Sequence, residues 1–271
     1  MRVSLFTDTL GDINGVARFI RALADHAAST GRELHAASST RLPIPERPIL
    51  VNFAPRLAAP MPGYPNLELV LPPGRRLLRW VRGLRPNAVH ISTPGPVGLV
   101  GRWAAQRLGL PLVGTYHTDF PAYSAHLFGH ASFAHPAAAY MRWFYRPFAR
   151  VLTRSAAYIQ AVRAIGVPAD RIHPLRPGLD TATFHPRHRD PALWSSLGIP
   201  AEGVKVLYAG RVSVEKNLPL LARAWRQLAP ADARLIVAGD GPYREAMEQE
   251  LAGSGAHFLG FRSGAQLSAI Y

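Results

Sequence analysis

The chain has 271 residues, 48% of them hydrophobic, which allows one large or two modest domains and excludes an intrinsically disordered chain. The absence of cysteine excludes disulfide frameworks and thiolate metal sites. A net charge of +14 suits nucleic acid, anionic lipid or an anionic substrate. No nucleic-acid-binding motif is present, so we expect no nucleic-acid partner. No apolar run is long enough to span a membrane and no signal-peptide pattern opens the chain, so we expect a cytoplasmic protein.

The first half of the chain alternates between strand and helix patterns, which is typical of an α/β fold. Strands are predicted over residues 2–7, 33–38, 67–71, 88–92, 111–116, 156–160 and 172–175. Helices are predicted over residues 16–28, 75–85, 97–108 and 137–154, and a loop with one or two short strands over 41–66. In the helix over 97–108 we expect Trp103 to face inward with Val97, and Gly109 to end the helix.

The loop after the first strand contains Asn14 and Gly15 directly before a predicted helix. A glycine at the start of a helix lets a ligand approach the backbone, although a plain turn glycine explains it equally well. The loop lacks the G-x-G-x-x-G fingerprint, so the sequence does not support binding of a nicotinamide cofactor.

Residues 75–85 combine five arginines with apolar residues and are followed by Pro86. As a helix, this segment is basic on one side and apolar on the other, a pattern that indicates a surface helix able to lie on anionic lipid. The alternative, an ordinary packing helix with a solvated arginine side, is more common because such a helix must also cover the sheet. The candidates for membrane contact are Arg75, Arg76, Arg79, Trp80 and Arg82.

Residues 111–116 predict a central strand that ends in His117-Thr118-Asp119-Phe120. In open α/β sheets, ligands bind at the carboxyl ends of strands, so this polar cluster is a candidate functional site. A single histidine is more often structural than catalytic, but the position of His117 directly after a buried strand favours a function. We expect no metal site from the remaining histidines of this region, whose spacing does not match a helical metal pair: His126, His130 and His135.

The second half begins after a Pro- and Gly-containing stretch, Pro177-Gly178-Leu179-Asp180, which indicates a linker. A short polar helix is predicted over residues 187–197, and a second α/β unit follows it. The predicted strands of this unit cover residues 204–209, 234–237 and 257–259, and its helices cover 218–228, 243–251 and a segment that begins near Gly264. The apolar run over 204–209 is predicted to be a buried strand.

Two cations, Arg211 and Lys216, lie in the turn that joins the strand over 204–209 to the next helix. A helix N-terminus flanked by cations suits an anionic ligand, most simply a phosphate or diphosphate. The chain has 31 Lys and Arg, but Lys205 and Lys216 are its only lysines, which favours a need for a compact ammonium at the turn. A solvated lysine without a ligand is the alternative, and the stretch alone does not decide between the two.

Several short motifs occur in an order that resembles a known enzyme family. They are Asn14-Gly15-Val16-Ala17, Gly114-Thr115-Tyr116-His117-Thr118-Asp119-Phe120, Pro177-Gly178-Leu179-Asp180, Gly210-Arg211 with Glu215-Lys216-Asn217, Gly239-Asp240-Gly241-Pro242 and Phe258-Leu259-Gly260. Together they resemble the retaining glycosyltransferases of the GT-B fold, in the large group-1 class (family four). His117-Thr118-Asp119-Phe120 and Met141-Arg142-Trp143-Phe144 are most similar to the bacterial branch that glycosylates lipids, such as mannosyl-, glucosyl- and sulfoquinovosyl-transferases.

The resemblance implies an α/β fold of GT-B type, with two Rossmann-like domains and a nucleotide-sugar cleft between them. Residues 1–177 would form the acceptor-side domain, and residues 178–271 an incomplete domain that binds the nucleotide sugar. The implied activity is transfer of a sugar from a GDP- or UDP-sugar to a lipid or glycan acceptor, with retention of configuration and without a metal or other cofactor. We expect such a protein to act peripherally on an anionic membrane surface, at the inner face of the plasma membrane.

The resemblance also assigns roles to individual residues. Arg211 and Lys216 would hold the donor diphosphate, together with Gly15, and fixed cations there would stabilise the leaving group without a metal. His117 would orient the transferring sugar or its leaving oxygen. Further candidate contacts, to the sugar, the acceptor or the base, are Asn14, Asp119 and Arg262.

One feature of the family is missing from this sequence. In the family, the second domain continues past the strand that corresponds to Phe258-Leu259-Gly260, with two glutamates in a Glu, seven residues, Glu motif that contact the donor. No such pair follows residue 260. We therefore expect a truncated or partial sequence, with a second sheet whose apolar faces are left uncovered. The alternative function is a non-catalytic module that keeps affinity for a nucleotide sugar or a membrane.

Overall fold

The computed structural model describes residues 1–12, 14–61, 64–128, 130–175, 180–190, 192–228 and 231–271. The chain divides into two compact units, Met1–Pro177 and Gly178–Tyr271. Three residues of the predicted linker, Pro177-Gly178-Leu179, lie outside the described part of the chain. Each unit is built on a parallel sheet.

The first unit contains a large parallel sheet and a separate antiparallel hairpin. Its described strands are β1 (Arg2–Phe6), β2 (Glu33–Ser38), β3 (Leu50–Asn52), β4 (Leu57–Met61), β5 (Tyr64–Leu71), β6 (Ala88–Ile91), β7 (Leu112–Tyr116), β8 (Arg150–Thr153) and β9 (Ile172–Pro174). The seven-stranded sheet has the order β3-β2-β1-β6-β7-β8-β9, with every neighbouring pair parallel. β4 and β5 form the hairpin. The strand order reverses direction at β1 and β6, so the carboxyl ends of these strands are where a ligand site is expected.

Helices cover both faces of this sheet. They are α1 (Gly15–Ser29), α2 (Gly74–Leu84), α3 (Pro96–Leu108), α4 (Phe120–Phe128), α5 (Ala134–Tyr145) and α6 (Ala156–Ala164). α1 packs on one face through Ile20 and Ala24, against Leu5 of β1. α2, α3, α5 and α6 contribute to the core on the other face, which includes Leu77 and Phe144. As predicted, Gly109 ends α3 in the left-handed conformation, with φ 65°.

Two secondary-structure predictions in this unit are wrong. The long helix predicted over residues 137–154 ends at Tyr145, and its last part forms β8 instead. Pro147 explains the break, because a proline inside a helix removes a backbone hydrogen bond and clashes with the preceding turn. The strand predicted over residues 156–160 is part of α6, because the Ser155 side chain accepts a hydrogen bond from the Tyr158 backbone N–H and so caps a helix at its start.

The second unit contains a three-stranded parallel sheet in the order β10-β11-β12, where β10 is Val204–Ala209, β11 is Ala233–Ala238 and β12 is Ala256–Gly260. Its helices are α7 (Leu193–Ser196), α8 (Leu218–Leu228), α9 (Arg244–Glu250) and α10 (Gly264–Ile270). One face packs against α8 and α9 around Trp225 and Met247. The other packs around Ile199 and Ile270, so both faces are covered in part, contrary to the expectation of bare faces.

β10 is an edge strand, which corrects its prediction as a buried strand. In the described part of the chain it pairs with β11 alone, and Val204 is 63% exposed and Val206 39% exposed. Its apolar composition indicated burial, but composition does not tell which strands have neighbours on both sides. Of the helices described in the two units, none is both long and apolar enough to cross a bilayer.

Candidate functional site

In the first unit, the loops that follow β1 and β6 are joined by a buried carboxylate. Asp8 Oδ2 accepts a hydrogen bond from Thr93 Oγ1 at 2.6 Å, and Asp8 Oδ1 accepts one from the Val97 backbone N–H at 2.7 Å. Asp8 thereby caps the N-terminus of α3, where unpaired backbone N–H groups favour an anion. Burial raises the pKa of Asp8 above its usual value, while the hydrogen bonds oppose this shift. These hydrogen bonds therefore hold the two loops together at the carboxyl edge of the sheet.

His117 follows β7 at the carboxyl edge of the sheet, as the sequence predicted. Its Nε2 lies 2.9 Å from Ser92 Oγ, at the end of β6, and its ring meets the ring of Phe19 edge-on with centroids 5.3 Å apart. The pKa of His117 is lowered to about 3, mainly by burial and to a smaller extent by the nearby His90 and Arg154. The imidazole is therefore neutral at pH 7, which suits it to hydrogen bonding rather than to carrying a positive charge.

A second pair of a histidine and a hydroxyl lies on the same two strands, further from their carboxyl ends. His90 Nε2, on β6, is 2.8 Å from Thr115 Oγ1, on β7, and both side chains are buried. Burial lowers the pKa of His90 to about 4. His90 and Ser92 are two residues apart on one strand, as are Thr115 and His117 on the next, so the two pairs lie on the same face of the sheet.

The other predicted residues of the first unit have local contacts of their own. Asn14 caps α1, with its Oδ1 accepting from the Ala17 backbone N–H at 2.8 Å. Gly15 is exposed, and a Cβ at this position would meet no atom within 4 Å, so the space beside its backbone is open. Asp119 Oδ1 lies 3.2 Å from the Tyr116 hydroxyl and 3.4 Å from the Ala122 backbone N–H, at the start of α4. Helix α1 begins at Gly15 and also carries Phe19, whose ring contacts His117, so it connects the loop at Gly15 to His117.

In the second unit, the loops after β10 and β11 approach each other without room for side chains. A Cβ on Gly239 would lie 1.8 Å from the Gly210 carbonyl oxygen, and one on Gly241 would lie 2.3 Å from the Val212 carbonyl oxygen. The Gly210 backbone N–H donates to the Ala238 carbonyl at 3.0 Å, so the backbone hydrogen bonding between β10 and β11 continues beyond the end of β10. Glycine is needed here because any side chain would collide with the backbone of the other loop.

Arg211 and Lys216 lie in the loop between β10 and α8. The Tyr208 hydroxyl donates to the Arg211 carbonyl oxygen at 2.6 Å, and Arg211 is half-buried, whereas Lys216 is exposed in a single 3-10 turn, Val214–Lys216. Asn217 ends that turn in the left-handed conformation, with φ 56°, which Asn tolerates better than most residues. By contrast, the Lys205 ammonium donates to the carbonyl oxygens of Ala201, Glu202 and Gly203.

Arg262 and Asp240 occupy the same edge of this sheet, since both follow strands parallel to β10. Arg262 comes directly after β12 in the loop before α10, and its Nη1 lies 3.2 Å from the Phe261 carbonyl oxygen. Arg244, in the first turn of α9, bonds Asp240 at 3.3 Å and Glu248 at 2.7 Å. The structure therefore gathers Arg211, Asp240 and Arg262 at one edge, where an anionic ligand would meet mostly positive charge.

The basic helix predicted over residues 75–85 is α2, and it packs as an ordinary α/β helix. Leu77 and Val81 are fully buried, and the Trp80 ring lies with its centroid 6.0 Å from that of Phe6 and 5.9 Å from that of Phe53. Trp80 is half-buried and packs against these two rings, and its contact with a membrane stays a prediction. The exposed side of the helix consists of arginines, namely Arg75, Arg76, Arg79 and Arg82.

Trp103 was predicted to face inward but is 44% exposed on α3. Trp143, on α5, is 49% exposed, and the Arg102 guanidinium lies 4.1 Å from its ring centroid. The sequence prediction also missed Ser92, Asp8 and Thr93. A signal was present, because all three follow the ends of strands at the carboxyl edge where ligands are expected. Among the described side chains, which do not include that of His126, no group of three or more His, Cys, Asp or Glu could hold a metal ion.

Comparison with protein families decides the relationship of the chain. The model of Glycosyltransferase Family 4 matches residues 13–183, and that of Glycosyl transferases group 1 matches residues 203–271. The chain belongs to the family 4, group 1 glycosyltransferases. This family 4 member therefore belongs to a class of enzymes that transfer glycosyl groups, as the resemblance of its ordered motifs implied.

The family 4 chain is similar to curated enzymes that include glycosyltransferases named for lipids. It is 30% identical to a GDP-mannose-dependent alpha-mannosyltransferase of Mycobacterium tuberculosis, covering 100% of this chain and 70% of that protein. It is 31% identical to the sulfoquinovosyl transferase SQD2 of Arabidopsis thaliana, covering 78% of this chain and 41% of that protein. An alpha-monoglucosyldiacylglycerol synthase of Streptococcus pneumoniae is 25% identical, with 92% of this chain and 58% of that protein covered. The family 4 chain thus spans 41–70% of the length of these relatives.

Solved structures support the fold. The family 4 chain superimposes on HepE of Anabaena, crystallised with UDP and glucose, with a TM-score of 0.70 at 19% identity, covering 99% of this chain and 72% of that one. It superimposes on sucrose-phosphate synthase of Thermosynechococcus elongatus with a TM-score of 0.74 at 15% identity, covering 100% of this chain and 73% of that one. The fold is therefore of the GT-B type, as the sequence predicted.

The buried neutral His90 predicts a specific loss of stability in acid. Because its pKa in the folded chain lies below that of an unfolded histidine, the unfolded state takes up a proton first as the pH falls. Its contribution is therefore complete above about pH 6.5 and is lost as the pH falls towards 4. Lowering the pH from 7 to 5 should reduce the free energy of unfolding of both proteins. We expect the reduction to be about 2 kcal/mol larger in the wild type than in His90→Asn. Urea unfolding at both pH values measures this difference, and equal losses in the two proteins would contradict it.

Proposed function

We propose that the chain takes part in the transfer of a sugar from a nucleotide diphosphate to a lipid or glycan acceptor, with retention of configuration. The observation that carries this proposal is the pair of cations, Arg211 and Lys216, in the loop before α8 of a family 4 glycosyltransferase. When the sugar leaves, negative charge builds on the diphosphate. Fixed cations and the backbone N–H groups of a helix start stabilise that charge where it forms.

The donor would be a GDP- or UDP-sugar bound by the second unit. The mannosyltransferase of Mycobacterium tuberculosis is named for GDP-mannose, and HepE was crystallised with UDP and glucose, so both bases occur among similar proteins. In this proposal Arg211 and Lys216 hold the diphosphate, and Arg262, at the same sheet edge, contacts the base. Because these cations already supply the positive charge that a diphosphate needs, we propose that no metal is required.

The first unit would contact the sugar and the acceptor. His117 is neutral at pH 7, so in this proposal it orients the sugar or the leaving oxygen by a hydrogen bond rather than acting as an acid or base. Gly15 leaves open space at the start of α1, which suits close approach of a ligand to the backbone. Asn14 and Asp119 would contact the sugar or the acceptor with the polar atoms that remain beside their capping bonds.

The acceptor would be a lipid, reached at the inner face of the plasma membrane by peripheral binding. Between Glu68 and Asp170 the sequence contains twelve arginines and a single acidic residue, Asp119. The exposed Trp103 and Trp143 lie among these arginines, and tryptophan favours the interface between water and lipid. An anionic bilayer complements this combination of charge and aromatic rings.

Binding of nucleotides tests the assignment of the diphosphate site. We expect Lys216→Ala and Arg211→Ala to weaken the binding of UDP or GDP by about tenfold or more, because each removes a charge-assisted contact. Lys205→Ala is the matched control, since it removes the same charge from the same unit while its ammonium bonds turn carbonyls. Isothermal titration gives the dissociation constants. Equal affinities for the wild type and Lys216→Ala would refute the assignment, and nucleotide binding without transfer of radiolabelled sugar to lipid would favour a non-catalytic binding module.

Vesicle binding tests the membrane proposal. Each arginine near an anionic surface contributes about 1 kcal/mol, so replacing Arg75, Arg76, Arg79 and Arg82 with Gln should reduce partitioning on the order of 100-fold or more. The control replaces four exposed arginines of the second unit, Arg187, Arg189, Arg223 and Arg226, and changes the net charge equally. Sedimentation with phosphatidylcholine vesicles, with and without phosphatidylglycerol, measures the bound fraction. Equal losses in the two variants would mean that total charge, and not α2, governs binding.

A further inference from the structure

The hydroxyl of Ser92 has a restricted set of partners. Ser92 is 1% exposed, and its backbone N–H donates to the Phe6 carbonyl oxygen at 2.9 Å. Within the described residues, the recorded partner of its Oγ is Nε2 of His117, at 2.9 Å. A buried hydroxyl has one proton to donate, and leaving that proton without an acceptor is unfavourable. The ring nitrogen of His117 is the acceptor within reach.

The protonation state of His117 limits the arrangement further. A neutral imidazole carries one N–H and one acceptor nitrogen, whereas the cation carries two N–H groups. His117 is neutral at pH 7 because partial burial of its ring lowers its pKa, and the nearby Arg154 guanidinium contributes to the same shift. If Nε2 carried the proton, it would donate to Ser92 Oγ, and the Ser92 proton would then have no acceptor among the residues that the structure describes. If Nε2 accepts, both groups are satisfied.

We propose that Ser92 is a positioning residue that holds His117 as the tautomer protonated on Nδ1. This inference deepens the proposed function and rests on it for its catalytic meaning. With Nε2 engaged inside the protein, Nδ1–H is the nitrogen available to donate a hydrogen bond to an oxygen of the sugar or of the leaving group. A histidine free to exchange tautomers would present that donor for a part of the time.

The surrounding contacts keep Ser92 in place. The next residue, Thr93, donates its hydroxyl to Asp8 and accepts from the Asp8 backbone N–H, both within 2.7 Å. Asp8 is itself fixed on the N-terminus of α3 through Val97. On the other side, the Phe19 ring packs edge-on against the His117 ring, with the centroids 5.3 Å apart. The Ser92–His117 pair therefore lies between two rigid elements, as a positioning contact requires.

The test reads the tautomer directly. The chain has 11 histidines, so we label them with nitrogen-15 and assign the His117 signals by their loss in His117→Asn. We expect Nδ1 of His117 to show the shift of a protonated nitrogen and Nε2 that of an acceptor nitrogen. Ser92→Ala should move both shifts towards each other as the tautomers mix, and Ser92→Thr, which keeps the hydroxyl, should restore them. Ser4→Ala is the control, because it removes a buried serine hydroxyl on β1 for which the described residues provide no hydrogen-bond partner.

Two results would overturn the inference. One is a wild-type His117 protonated on Nε2, and the other is unchanged His117 shifts in Ser92→Ala. Turnover supplies a separate reading, in which Ser92→Ala should lower kcat several-fold with little change in KM for the donor. If the shifts behave as expected but His117→Ala keeps full turnover, the positioning contact is real and the proposed role of His117 in transfer is what fails.

Discussion

The close approach of the Gly210 and Gly239 backbones is the constraint on which the candidate donor site depends. The two loops pair beyond their strands, through Gly210 N–H to the Ala238 carbonyl and Val212 N–H to the Asp240 carbonyl, at 3.0 and 2.9 Å. A side chain on Gly239 would collide with the Gly210 carbonyl, so this close approach requires glycine at position 239. The two loops therefore form one continuous surface. The backbone of Arg211 belongs to that surface, with its carbonyl oxygen bonded to the Tyr208 hydroxyl, and in the proposed function its guanidinium stabilises the anion.

In the first unit, a buried polar network fixes the residues of the candidate site. Asp8 uses its carboxylate on the N-terminus of α3, and Ser92 uses its hydroxyl on His117. Burial lowers the pKa values of His90 and His117, which keeps both rings neutral and turns them into hydrogen-bonding groups. Rigidity and neutrality have the same origin here, since the packing that fixes the side chains also excludes the water that would stabilise a cation.

Local patterns in the sequence determined much of the fold. β2 and α8 form over the residues predicted for them, because strand and helix periods were clear there. The region over 137–164 was wrong because its apolar spacing fits both periods, so that Pro147 and the Ser155 cap decided the outcome. The edge position of β10 and the exposure of Trp103 could not be read from the sequence, because they depend on which elements become neighbours. The position of His117 after β7 was predicted, whereas its contact with Ser92 depends on the pairing of β6 with β7.

The central claim is that the paired loops of the second unit hold a nucleotide diphosphate. The most direct measurement is the change in backbone amide resonances of the nitrogen-15-labelled chain as UDP or GDP is added. We expect the largest shifts at the amides of residues 210–217, 239–241 and 243, with inorganic diphosphate reproducing part of the effect. Shifts that are absent from these residues and concentrated in the first unit, for example along α2, would contradict it.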